Sequence, residues 1–290
     1  MDVPSHAPIE VRQLRTHDEF IRCVELQHDV WGASFTERVS VGMLKVVQRI
    51  GGIAAGAFEP DGRLVGFVFG LTGVEGGRLV HWSDMLAVRE HLRDHGIGRR
   101  LKEFQRDTVR ALGVTRIYWT FDPLVSRNAH FNLTRLGAHV VEYVPDMYGG
   151  DTNSALHRGV GTDRFIVAWD IDGAAPGAVA DDAAHGVSPG ADAPVLNPVG
   201  DDGLPAIPNG AGHMPAATVR VAVPEEIAQV QSRSVEDAAR WRASTRRAFM
   251  WALEEGYRVR AFTRDDGAHY GFYVCTRDHA ARPKVGTSPM

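Results

Sequence analysis

Arg93, Gly96 and Gly98 stand in the spacing R-x-x-G-x-G, and Arg99, Arg100 and Lys102 follow at once. A glycine-rich turn that opens a helix leaves backbone N–H groups without partners. The helix dipole adds positive charge at the same place, and the combination binds anions. Basic residues in a first helical turn oppose that dipole, so an anionic ligand would complete the site. Asp94, His95 and Ile97 fill the remaining loop positions. A P-loop would need Lys-Ser or Lys-Thr after the glycines, and neither is there. A dinucleotide fingerprint would need a third glycine where Leu101 stands. The plain alternative is an ordinary strand–turn–helix with a basic surface.

The elements that must position this loop follow from periodicity. The stretch from His81 to Val88 reads as a strand, ending in Leu86, Ala87 and Val88. Leu101, Phe104, Thr108 and Leu112 then recur at helical spacing, and Gly113 closes that helix. Upstream come a short strand over 9–14, a helix from Thr16 to about Trp31, and a second helix capped by Ser40. Strands over 53–58 and 64–71 are joined at Pro60–Gly62, and Val74–Arg78 forms another turn. Downstream, Arg116–Phe121 is a strand, Ser126 caps a helix over Asn128–Leu136, and strands occupy 140–144 and 164–171.

The block Val-x-x-x-x-Arg-x-x-Gly-x-Gly from Val88 to Gly98, set in this element order, resembles the coenzyme A motif of the GNAT acyltransferase superfamily. The match runs over roughly residues 9–171. The resemblance implies a layered α/β fold with a central, mostly antiparallel mixed sheet flanked by helices. It also implies acyl transfer from acetyl-CoA or another acyl-CoA to an amine, without a metal. The backbone of Leu86, Ala87 and Val88 would pair with the pantetheine arm, and the amides from Asp94 to Arg99 (His95, Gly96, Ile97 and Gly98 between them) would hold the pyrophosphate with Arg93. Asn128 occupies a position where many members place an asparagine near the coenzyme. Many members also carry a tyrosine as acid four residues before the glycine that ends the following helix. Here that residue is Leu133, so Tyr148, Tyr143 or His130 would have to substitute. Asp84 on the strand is the candidate base, with His81 and Glu90 as alternatives. Trp119, Asp122, Arg127 and Arg164 are candidate acceptor residues, the arginines as planar forks for a carboxylate; a surface ion pair is the plain reading of either arginine. Together these segments resemble a predicted-acetyltransferase subfamily of bacteria and archaea, some of whose members look like N-succinyltransferases.

Composition narrows the classes. The 290 residues carry a net charge of −4, which gives no basic field for nucleic acid. Cys23 and Cys275 form no metal or redox motif. No stretch is long and apolar enough to span a bilayer, and the start lacks the pattern of a signal peptide, so a cytoplasmic protein is expected. Residues 172–217 hold seven of the fifteen prolines and no Lys, Arg or aromatic residue, which reads as a flexible linker. Residues 218–290 read as a small α+β unit: a strand over 218–223, a helix start at Pro224, a helix over Val235–Glu255 and a hairpin around Asp265–Gly267. This gives three segments, a GNAT domain over 1–171, the linker, and a C-terminal unit docked on the first domain. The expected function is an acyl-CoA-dependent N-acyltransferase with acetyl-CoA as the default donor, succinyl-CoA as a rival, and a small amine or amino acid as acceptor. A non-catalytic GNAT-fold module that binds or senses CoA is the alternative. Homo-oligomerisation stays open.

Overall fold

The computed structural model describes residues 9–149, 160–172, 190–208, 216–264, 269–277 and 284–285. The chain divides into two compact units. One holds residues 1–119 with 153–155 and 170–174, and the other holds 120–152, 156–169 and 175–290. The division falls inside a strand, after Trp119.

In the first unit, strand β1 (Glu10–Gln13) leads to helix α1 (His17–Trp31). Thr16 caps α1 with a reciprocal box to Glu19. Helix α2 (Val41–Arg49) starts at Ser40, whose hydroxyl accepts the Met43 N–H. Strands β2 (Ile53–Phe58), β3 (Leu64–Glu75) and β4 (Arg78–Val88) form an antiparallel meander with β1 at its edge. Gly76 and Gly77 both have positive φ, which suits the tight β3–β4 turn. Helix α3 (Ile97–Arg110) follows, and β5 (Arg116–Phe121) pairs parallel with the start of β4. One face of the sheet buries Phe67, Phe69, Met85 and Ala87 with Phe20, Leu26, Leu44 and Val47 of α1 and α2. The other face receives α3. Gly66 permits that approach, because a Cβ there would lie 3.2 Å from a Leu101 methyl and 2.9 Å from the Ala87 carbonyl.

The α3 face differs from the expected one. Ile97, Leu101, Lys102, Gln105 and Val109 point inward, while Leu112 lies beyond the helix and is exposed. Two polar side chains therefore sit where Phe104 and Thr108 were expected.

In the second unit, β6 (His139–Val144) pairs antiparallel with β7 (Arg164–Asp170), and the short β11 (Lys284–Val285) lies parallel to β6. Strands β8 (Thr218–Pro224), β10 (Tyr270–Arg277) and β9 (Tyr257–Arg264) form a separate antiparallel sheet with β10 in the middle. Helices α5 (Ile227–Arg233) and α6 (Val235–Glu254) lie between β8 and β9 in sequence. Phe165, Tyr143, Phe249 and Tyr273 pack edge to face or tilted at 4.8–5.7 Å. The C-terminal helix and sheet thus share one aromatic core with β6 and β7.

Three local expectations are corrected. Ser126 does not cap a helix; it lies inside the short α4 (Ser126–Ala129), with its hydroxyl buried and without a partner. The chain then winds as a π-helical turn over His130–Arg135, where the Leu136 N–H reaches back to the Phe131 carbonyl. Pro224 ends β8 instead of opening a helix; Glu226 precedes α5. Residues 190–208 of the expected linker are packed. Leu196 is buried, and the Asn197 side chain bonds both the N–H and the C=O of Ala222, at 2.8 and 3.0 Å. Asp265–Gly267 lies outside the described residues.

The same unit holds a buried ionic cluster. Asp163 is fully buried, accepts the Tyr143 hydroxyl and pairs with Arg246 through both carboxylate oxygens. Burial alone would raise its pKa. The hydrogen bonds from Arg246 and Tyr143 and the charge of Arg242 outweigh burial and hold it below its ordinary value. Its stabilisation is therefore present at neutral pH and lost as pH falls through the native pKa. Asp163→Ala leaves the buried Tyr143 hydroxyl without its acceptor and Arg246 with Asp146 alone, 2.8 Å, and is expected to cost about 3 kcal/mol in a urea titration at neutral pH.

Candidate functional site

Strand β4 carries one residue more than β3. Met85 faces Phe69 and Ser83 faces Gly70, which leaves Asp84 unpaired as a β-bulge. A bulge shifts the facing of the strand on its two sides. His81 and Ser83 accordingly face α3, whereas Met85 and Ala87 enter the α1–α2 core. Asp84 itself reaches solvent. Burial among its neighbours still pushes its carboxyl pKa upward; the hydrogen bond with Trp82 opposes this and Glu37 adds to it.

Pairing between β4 and β5 covers only Val80–Trp82 against Arg116–Tyr118. Past Trp82, no strand joins β4 on that side among the described residues of the unit. The backbone of Leu86, Ala87 and Val88 thus borders an unfilled edge.

The chain leaves β4 with the Arg89 N–H on the Val65 carbonyl, 2.8 Å, and makes one 3₁₀ turn over Glu90–Leu92. Asp94 (φ +65°) and Gly96 (φ +75°) are both left-handed. Gly96 is the residue before α3, with no side-chain cap and no acidic residue in the first turn. The first intrahelical bond is Arg100 N–H to the Gly96 carbonyl, 3.1 Å. The N–H groups of Ile97, Gly98 and Arg99 have no acceptor within the helix. A Cβ built on Gly96 would meet nothing within 4 Å, and one on Gly98 only the Leu86 and Val88 methyls at ordinary contact. The loop is therefore open in front of its amides, and its glycines are not required by crowding inside the protein. Arg93 folds back on the Val88 carbonyl, 3.4 Å, His95 bonds the Arg93 carbonyl, 2.7 Å, and Arg99 pairs with Glu103, 2.8 Å. The arrangement fits a diphosphate: free amides, a helix N-terminus and open space.

Lys102 does not join the surface cations as the sequence suggested. It is 3% exposed, donates to Ser83 Oγ at 2.7 Å and lies 4.0 Å from the centroid of the Trp119 ring. No carboxylate pairs with it among the described residues, and burial pushes its pKa down to about 7. His81 is buried beside it. Thr72 donates to the Gly51 carbonyl, 2.7 Å, so it accepts from His81 Nδ1–H at 3.0 Å. His81 Nε2 then accepts from the Gln105 amide, 3.0 Å. With both nitrogens engaged, and burial and the Lys102 charge lowering its pKa to about 3, His81 is a neutral structural group and not the alternative base.

The second unit gathers Asp122, Tyr148 and Arg164. Asp122 accepts from Arg242 at 2.6 Å and lies 3.7 Å from Arg164. Arg164 is buried, with its guanidinium 5.2 Å from the Tyr148 ring centroid. The Tyr148 hydroxyl bonds Thr120 Oγ1 at 3.0 Å, and its ring is 41% exposed. Arg127 is exposed on α4 and joins none of these contacts, and Asn128 follows it, half-buried. Arg242 and Arg246 are absent from the sequence-level site. They lie four residues apart on α6, directly beside the apolar stripe of Trp241, Thr245 and Phe249, and that spacing was the available signal.

Residues 26–137 match the family described as Acetyltransferase (GNAT) family. No protein of curated function matches the chain by sequence. Among solved structures, it is similar to the ribosomal-protein-S18-alanine N-acetyltransferase from Escherichia coli (17% identity, 58% of this chain and 96% of that one, TM-score 0.44). An aminoglycoside 6'-acetyltransferase type Ii is similar at 20% identity (57% and 99%, TM-score 0.44). Arabidopsis thaliana Naa50, in complex with a bisubstrate analogue, is similar at 16% identity (55% and 97%, TM-score 0.44). Among the described residues no cluster of metal-ligating side chains occurs, and no helix is long and apolar enough to cross a membrane.

The folded state prefers Lys102 neutral, whereas an unfolded lysine keeps its proton up to about pH 10. Wild-type stability is therefore penalised most below the native pKa, and the penalty fades as pH rises above it. Lys102→Met is expected to be more stable than wild type by roughly 2 kcal/mol near pH 6, with the gap closing by about pH 10. Thermal unfolding across that range checks this.

Proposed function

We propose that the protein transfers an acyl group from an acyl-CoA to the amine of a small molecule or amino acid, with acetyl-CoA as donor and succinyl-CoA as the rival. One observation carries the reading: the uncapped, glycine-entered N-terminus of α3 lies at the end of a strand whose adjoining edge is open. The amides from Asp94 to Arg99 would hold the pyrophosphate. The pantetheine amides would pair with Leu86, Ala87 and Val88 as an added strand. From Val88 back to Ser83 is about 17 Å at ~3.4 Å per residue, comparable with an extended pantetheine arm. The thioester would then arrive beside Asp84.

Asp84 suits the base. It is open to solvent, burial among its neighbours raises its pKa, and the bulge turns it away from the ladder. Tyr148 is the exposed phenol that would serve as acid, while Trp119, Asp122, Arg127, Arg164 and, near Arg127, Asn128 are the proposed acceptor and coenzyme contacts. A second reading, a CoA-binding module without turnover, is favoured by Leu133, which is buried in the π turn and offers no hydroxyl where many family members carry a tyrosine. A cytoplasmic location is part of the same proposal.

A thermal-shift series with CoA, acetyl-CoA and succinyl-CoA tests binding. A ligand at ~100 times its dissociation constant adds about 2.7 kcal/mol, and no shift with any of the three rejects the reading. Asp84→Asn is expected to lower kcat/KM by about 100-fold with CoA affinity unchanged. Thiol release with a panel of amines separates the enzyme from the silent module. Gly96→Ala is expected to weaken CoA binding at least several-fold, because its Cβ would occupy the space in front of the amides and its backbone is left-handed. Equal affinity would place the phosphates elsewhere.

A further inference from the structure

Lys102 is a buried amine with no carboxylate to neutralise it among the described residues, and nothing in the proposed binding of coenzyme A uses it. Among the described residues it donates to the Ser83 hydroxyl of β4 and lies over the Trp119 ring of β5, beside neutral His81, which Gln105 of the same helix holds. Glu103, its acidic neighbour in sequence, pairs outward with Arg99. Leucine or methionine would fill the same volume without desolvating an ammonium.

The location of Lys102 is as unusual as its burial. Ser83 is the first β4 residue past the last pairing with β5, and Trp119 is the first β5 residue past it. Lys102 therefore sits under the point where the two strands part. Ser83 also directly precedes the bulged Asp84. If the reading above holds, the thioester sulfur lies at this vertex.

We propose that Ser83, backed by Lys102, supplies the proton that the departing thiolate of coenzyme A takes up, with Lys102 as the positioning and proton-restoring residue. As the acceptor nitrogen bonds to the acyl carbon and the C–S bond breaks, its electron pair goes to sulfur. Ser83 Oγ gives its proton to that sulfur and takes one from Lys102 Nζ, leaving a neutral amine. The acceptor nitrogen sheds one proton in the same reaction, to Asp84 and solvent, and solvent returns one to Lys102, so the protons balance. The Trp119 face favours the ammonium while burial favours the amine, which keeps both forms accessible near neutral pH. This route serves in place of Tyr148 and needs no residue of the second unit.

The inference rests on CoA binding at α3, so its test separates the two. Calorimetry with CoA first establishes binding to the wild-type protein; no binding overturns both the site and this inference. Thiol release from acetyl-CoA with the panel of amines is then followed against pH; no release with any amine overturns the inference while leaving the binding site standing. The proton donor must carry its proton, so wild-type kcat is expected to fall as pH rises past the Lys102 value of about 7, and Lys102→Met to be at least tenfold slower and to lack that limb, with CoA affinity unchanged. Ser83→Ala, a smaller change at the same contact, should lower kcat in the same way, and Lys102→Gln replaces Lys102→Met if that variant does not fold. A lysine variant with wild-type kcat and the same pH limb, at equal CoA affinity, would overturn the inference.

Discussion

Strand β4 must satisfy two faces with one sequence, and the unpaired Asp84 between Ser83 and Met85 is how it does so. Without that extra residue, strict alternation would send His81, Ser83, Met85 and Ala87 to one side. The bulge instead places two polar residues under α3 and two apolar ones in the α1–α2 core. It also ends the regular part of the strand where pairing with β5 stops. The open edge, the solvent-facing carboxylate and the polar cluster under α3 all follow from this one slip in register.

The cost of the arrangement falls on α3. A helix that packs on glycines of β3 needs small partners, and Gly66 and Gly70 supply them; a Cβ on Gly70 would collide with His81, Gln105 and the Trp82 carbonyl. The room so made is filled by hydrogen-bonded polar side chains rather than by methyl groups. Gln105 Oε1 stays without a partner, and Lys102 gives up part of its basicity.

Much of the fold was legible in the sequence, because local signals dominate there. Thr16 and Ser40 cap their helices as their residue types require. The strands from β3 to β7 fall where β-branched and aromatic residues stand, β2 is a short apolar run of small residues between Ile53 and Phe58, and R-x-x-G-x-G marks the loop before α3. What escaped depends on distant partners. Nothing around Asp84 distinguishes a bulge from plain alternation. Lys102 adjoins Leu101 and reads as a surface cation until Ser83 and Trp119 are placed around it. The π turn at His130–Arg135 and the buried Arg242 depend on how α4 and α6 pack. The segment around Leu196 and Asn197 has the composition of a tether, yet two side-chain bonds to Ala222 order it.

Amide hydrogen exchange, followed residue by residue with and without CoA, tests the central claim most directly. The account predicts that CoA slows exchange at Ile97, Gly98 and Arg99 and along Leu86–Val88, while amides on the α1–α2 face stay as they were. Slowing confined to other segments, with the α3 amides exchanging at their free rate in the complex, would contradict it.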